Sequence, residues 1–193
     1  MIKWPGVIKP GTVFNGIGAH EDMIPTLMAA IGEPDVVEKL KKGYQVGDET
    51  YKVHLDGYNL QSYLKGDADA SPRKEFLYWN DDGSLVALRY DRWKIVFAEQ
   101  RGHGFDVWQE PFQPLRLPKL FCLRSDPLER ADHEAIGYPK WRIEHVYVLV
   151  PAQGYVGRWL QSFKEFPPRQ KPGTFSIDQV MEKLQEGAGG GNK

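Results

Sequence analysis

FLYWNDDGSLVALRYDRWKIVF, residues 76–97, reads as three short strands in a meander. Residues 76–79 are largely aromatic, and Asn80-Asp81-Asp82-Gly83 supplies turn chemistry. Residues 85–90 form a second strand, Asp91-Arg92 reverses the chain, and residues 93–97 form a third. β-Branched and aromatic side chains suit a pleated, half-buried surface, and Asx/Gly clusters between such runs mark hairpin connections. Trp93, Ile95 and Phe97 alternate with Lys94 and Val96, which buries one face and leaves the other partly wet. A sheet this small needs a cover, and the helical segments further along are the candidates. The expected class is α+β, a small antiparallel sheet of about four strands packed with helices.

The chain has 193 residues, 41% of them hydrophobic, which is ordinary globular material for one domain or slightly more. Its net charge of −1 provides no global field for nucleic acid or an anionic membrane, so neither is an expected partner. Cys122, the single cysteine, lies in the apolar run Leu120-Phe121-Cys122-Leu123. That excludes an internal disulfide and a thiolate zinc site, and it suits a buried, inert thiol. No apolar run approaches the roughly 20 residues that span a bilayer. Met1 leads directly into Ile2-Lys3-Trp4-Pro5, without a signal-peptide pattern.

Residues 1–19 read as an extended segment with a turn at Lys9-Pro10-Gly11. A helix is expected after Asp22 as N-cap, with Pro25 in its first turn and Gly32 and Pro34 as stop signals. Ile24, Leu27, Met28 and Ile31 stand at i, i+3, i+4 and i+7, one apolar stripe. A second short helix is expected over 35–42, with Val36, Val37 and Leu40 inward and Gly43 ending it. Residues 47–73 read as loop around a helical turn at 60–64, and residues 99–118 as one long loop. Residues 120–123 return as a fourth strand, ended by Arg124-Ser125-Asp126-Pro127. Trp141, His145, Val148, Ala152, Tyr155, Trp159 and Phe163 recur at helical spacing over 139–166, where Pro151 must kink or break the helix. Ser176 caps a last short helix over 177–184, and GAGGGNK is a flexible tail. No internal repeat is visible.

The five histidines, His20, His54, His103, His133 and His145, include no pair at metal-ligand spacing. His20 with Asp22 reads as a helix start. Arg101 and His103, in the long loop, are the best candidates for an exposed acid/base or anion-binding group. The alternative is a loop docked on a neighbour. Lys39, Lys41 and Lys42 read as a solvated helix face, and Asp81-Asp82 as turn formers. No catalytic set and no phosphate-binding fingerprint emerges.

Three stretches, in order, resemble the C-terminal part of the sulfatase family, arylsulfatase type, within the alkaline-phosphatase-like superfamily. Trp4-Pro5-Gly6-Val7-Ile8-Lys9-Pro10-Gly11, followed by Asp22-Met23-Ile24-Pro25-Thr26-Leu27-Met28-Ala29-Ala30-Ile31-Gly32, resembles the family's "WPG.i..G" strand end and "D..PTLL..aG" helix. Leu55-Asp56-Gly57-Tyr58-Asn59-Leu60, with Leu64-Lys65-Gly66 and Pro72-Arg73, is similar to "iDG.sL.p.L.G…pR". Leu120 through Asp126-Pro127-Leu128-Glu129-Arg130 is similar to "lYdL..DP.E".

The resemblance implies two regions, 1–46, a helical piece at the edge of a catalytic domain, and 47–137, the small antiparallel-sheet subdomain; from Pro139 onwards the match to the family is poor, and there the helical period gives a C-terminal helical cover over 138–186 and composition gives the tail, 187–193. It implies a parent sulfuric ester hydrolase that uses formylglycine and a divalent cation, calcium or magnesium, and that is often periplasmic or secreted. Formylglycine comes from the first residue of Cys/Ser-x-Pro-x-Arg. Cys122-Leu123-Arg124 fails that pattern, and in Ser125-Asp126-Pro127-Leu128-Glu129-Arg130 the arginine stands one place late. No catalytic or metal-binding residue carries over. The expectation is therefore a C-terminal fragment without formylglycine or metal site, inactive alone. The alternatives are an anion-binding or interaction module using Arg101, His103, Arg116 and Lys119, or a complementing subunit of a split sulfatase. Partner surfaces are expected on residues 4–31, for a second copy or for an N-terminal catalytic part.

Overall fold

A computed structural model describes residues 1–169, 171–178, 180–182 and 184. The chain begins with α1 (Met23–Ala30), α2 (Val36–Lys42), a two-stranded hairpin of β1 (Tyr44–Val46) and β2 (Glu49–Tyr51), and α3 (Gln61–Lys65). The meander follows as β3 (Glu75–Trp79), β4 (Leu85–Tyr90) and β5 (Trp93–Glu99), joined by β6 (Gln113–Cys122). These four pair antiparallel in the order β3-β4-β5-β6. After the sheet come α4 (Ala131–Glu134), α5 (Tyr138–Glu144) and α6 (Leu149–Ser162). The class is α+β, as the meander implies.

Register explains where the core lies. Leu77, Leu88, Ile95 and Leu120 stand opposite one another across all four strands, and all four are buried. Side chains alternate between faces, so the neighbouring row, Phe76, Arg89, Lys94 and Phe121, points the other way. Val148 and Ala152 close over the apolar row, with Trp141, Tyr155 and Trp159 partly buried beside them. Tyr90 continues the buried face, and its hydroxyl donates to the Val148 carbonyl at 2.7 Å, fixing the cover to the sheet. Side chains of α5, α6 and the turn between them thus cover the apolar face of the sheet.

Three expectations need correction. The fourth strand has ten residues rather than four, and Pro114 and Pro118 fall within it. It is an edge strand, where a missing N–H costs no ladder bond, and its pairing slips between Val96↔Lys119 and Ala98↔Pro114. The long helix is two helices, separated by a 3-10 turn over Val146–Val148, and Pro151 sits in the first turn of α6. There its lost N–H has no partner to lose, so the proline helps start a helix instead of kinking one. The β1–β2 hairpin replaces a stretch read partly as loop; Gly47 at its turn has φ 63°. Residues 177, 178, 180–182 and 184 are helical, and residues 187–193 lie outside the described residues.

In α1 the inward face is not the apolar stripe. Pro25, Thr26 and Ala29 are buried, whereas Ile24, Leu27 and Ile31 are 56, 61 and 75% exposed. A polar joint beneath the helix sets that rotation.

Candidate functional site

The joint is built on Arg73. Its side chain is fully buried, and so is that of Asp22. The guanidinium Nε donates to Asp22 Oδ2 at 2.8 Å and Nη2 to Asp22 Oδ1 at 2.6 Å, the forked geometry that suits arginine to a carboxylate. Nη2 also reaches the Asp56 carbonyl at 3.0 Å and Glu21 Oε1 at 2.6 Å, and Nη1 donates to the Glu75 carbonyl at 3.1 Å. The guanidinium carbon lies 4.8 Å from the centre of the Tyr58 ring. Asp22 in turn accepts from the backbone N–H groups of Ala19 and Tyr58, at 2.8 and 2.7 Å. Every strong donor and acceptor of the pair is engaged, which a buried charge requires.

Asp22 therefore does not cap α1 with its side chain, as its position before the helix suggests; it turns inward to Arg73. Thr26, one turn on, donates to the Asp22 carbonyl at 2.6 Å and accepts from the Leu60 N–H at 2.9 Å. Gly57 is forced by space: a Cβ there would stand 2.0 Å from the Glu21 carbonyl oxygen. The residues of the first two family-like stretches thus meet in one place. Burial raises the Glu21 carboxyl above its ordinary range despite Arg73, and burial likewise raises Asp56, against the hydrogen bond from His54. Burial, then the Glu75 carboxylate, pushes the Tyr58 phenol up to about 12. For Arg73, burial works against the charge, but the hydrogen bond to Asp22 and the nearby acids outweigh it and raise the value.

The third stretch is also structural. Asp126 accepts from the N–H groups of Arg130 and Ala131 at 3.0 and 2.9 Å, starting α4, and Glu129 takes Lys94 with both carboxylate oxygens, at 2.7 and 2.8 Å.

The residues expected to bind an anion are divided among other partners. Arg101 pairs with Glu99 at 3.0 Å, and Lys119 with Glu99 and Asp132 at 2.5 and 2.6 Å. The hydrogen bond from Lys119 holds the Glu99 carboxyl below its ordinary value. His103 is exposed and precedes the 3-10 turn Gly104–Trp108, and Arg116 is exposed on β6. Two other histidines are held within the fold: His54 Nδ1 lies 2.8 Å from Asp56 Oδ1, and His145 Nδ1 lies 2.7 Å from the Trp141 carbonyl.

A divalent cation does not fit these residues. Glu21 and Asp22 both hold the Arg73 guanidinium, which stands where a cation would have to go. Among the described residues no group of three His, Cys, Asp or Glu is arranged to hold a metal.

No protein-family model matches the chain, and no curated protein matches it by sequence. Among solved structures the chain is similar to the PsFucS1 sulfatase from Pseudoalteromonas sp., at 20% identity and a TM-score of 0.60. The match covers 85% of this chain and 29% of that one, so the chain spans less than a third of that sulfatase's length. At that identity the likeness defines the fold, and the α+β arrangement described above is sulfatase-like.

Proposed function

We infer that the chain is the C-terminal part of an arylsulfatase-type sulfuric ester hydrolase and is inactive by itself. The observation that carries this reading is the Asp22–Arg73 joint. Two stretches that resemble the family from the sequence, 51 residues apart at these positions, are brought into direct contact by a fold of the same kind. The joint is chemically closed: its charges bind one another and leave no nucleophile and no open coordination position. In the family, chemistry depends on formylglycine and a divalent cation, which supply the nucleophile and the transition-state charge stabilisation. The required sequence pattern does not occur in the chain, and among the described residues no three His, Cys, Asp or Glu are grouped to hold a metal. The purified chain is expected to release no product from an aryl sulfate in the presence of calcium or magnesium. Turnover that survives repurification and follows the protein peak would overturn the reading.

The same reading gives α1 a partner. Ile24, Leu27 and Ile31 form one exposed apolar stripe along α1 and its C-terminal end, in the region that resembles a catalytic-domain edge. Contiguous apolar exposure of this kind usually marks an interface. A second copy in a two-fold dimer would cover it, as would a separately encoded N-terminal part. Light scattering coupled to size exclusion is expected to show a dimer that Leu27→Asp dissociates. A wild-type monomer at every concentration would exclude self-association and leave the complementing part.

An anion-binding module centred on Arg101 and His103 is the second reading. It is less favoured because Arg101 and Lys119 are both paired with Glu99.

A further inference from the structure

The C-terminal segment carries an exposed apolar stripe. Residues 177, 178, 180–182 and 184 are helical, and Ile177, Val180, Met181 and Leu184 stand at i, i+3, i+4 and i+7. Ile177, Met181 and Leu184 are 75, 51 and 63% exposed. A helix this short does not persist in water on propensity alone; packing of its apolar face has to hold it. The stripe therefore calls for a cover.

A matching face lies beside α6. Leu149, Val156 and Leu160 fall on one side of that helix, and with Leu85 and Phe97 they line an open groove of about 440 Å³. A Cβ at Gly157, on the same side, would meet nothing within 4 Å, so the middle of the groove is open to a second helix. From Leu149 to Leu160 the groove runs about 16 Å along α6, and a helical stripe over 177–184 is about 12 Å long.

The chain is tethered at one end of this groove. Thr174 donates its N–H and its hydroxyl to the two Asp82 carboxylate oxygens, at 2.7 and 2.6 Å, and the Gly173 N–H donates to the Asp81 carbonyl at 3.2 Å. The hydrogen bonds from Thr174 hold the Asp82 carboxyl below its ordinary value. The turn that carries both acids leads directly into Leu85, a wall of the groove. The same turn lies near the C-terminal end of α6, where Phe163 meets Trp79 at 5.7 Å between ring centroids. Only Phe175 and Ser176 separate the anchor from the helical segment. A segment held this close meets the groove intramolecularly, at a high effective concentration.

We propose that the C-terminal helical segment is a strap that closes over this groove of its own chain, antiparallel to α6. Its stripe of Ile177, Val180, Met181 and Leu184 then seats against Leu85, Val156 and Leu160. The structure shows the open arrangement, with the Thr174–Asp82 anchor as the hinge. Closure removes both apolar faces from water, and that is its driving force. The inference depends neither on the sulfatase reading nor on a dimer through α1.

Hydrogen exchange of the full chain, read by mass spectrometry over 149–162 and 175–184, tests the strap. The amides of 177–184 are expected to exchange at least about tenfold more slowly than an unstructured chain. Met181→Asp is expected to abolish that protection, and so is Leu160→Asp on the opposing face. Both residues are about half exposed in the open arrangement, so neither substitution removes a core side chain. Val150→Asp, 70% exposed on α6 and outside the groove, is expected to leave exchange at 177–184 unchanged. Protection is expected to survive about tenfold dilution and the Leu27→Asp substitution, which distinguishes a strap in its own groove from one exchanged with a second copy. Four results would each overturn the proposal: unprotected amides at 177–184, protection indifferent to Leu160→Asp, equal release by Val150→Asp, or protection lost on dilution or in Leu27→Asp.

Discussion

Arg73→Met is expected to destabilise the protein by about 3–5 kcal/mol, because it strands the Asp22 carboxylate in a site with no solvent access. At 2–4 °C per kcal/mol for a chain of this size, the melting temperature should fall by roughly 6–20 °C. Methionine fills much of the arginine volume, so the loss reports charge and hydrogen bonding more than a cavity. The backbone carbonyls of Asp56 and Glu75 lose their donors in the same substitution. Denaturant unfolding at constant slope is the measurement. A shift below about 1 kcal/mol would mean that Asp22 finds other partners.

The second large effect is expected at the centre of the sheet. Leu88 is fully buried, with Leu77 and Ile95 opposite it on the flanking strands. Val148 and Ala152 belong to the same buried cluster, above the sheet. Leu88→Ala should therefore leave a cavity that the rigid strands cannot close, at a cost of about 2–5 kcal/mol. Trp159 offers a contrast. Its helical spacing suggests a core aromatic, but it is only partly buried, its ring edge meeting His54 at 6.4 Å between centroids. Trp159→Ala should cost less than Leu88→Ala, and the reverse order would show that the cover rather than the sheet carries the core.

The sheet was legible because its signals are local: alternation along 93–97 and Asx/Gly turns between the strands are readable within a few residues. The extent of β6 was not, because proline normally argues against a strand. Only its place at the edge, which depends on the whole sheet order, makes Pro114 and Pro118 acceptable. The break before α6 shows the same limit. Pro151 is compatible with a kink or with a new first turn, and packing of Val148 on the sheet selects the second. The Asp22–Arg73 pair lies beyond any local pattern. By position Asp22 is a good cap, and its partner is 51 residues away. Only the family resemblance put both residues on the page, and it did not assign them to each other.

We propose that the family-like residues of this chain hold it together and take no part in chemistry. A double-mutant cycle on Asp22→Asn and Arg73→Met, followed by urea unfolding, tests that claim most directly. If the two side chains form one buried, closed pair, the single variants should each lose several kcal/mol, and the double variant should lose less than their sum by about 2–3 kcal/mol. Additivity within about 0.5 kcal/mol would show that the two residues act independently, and would contradict the account.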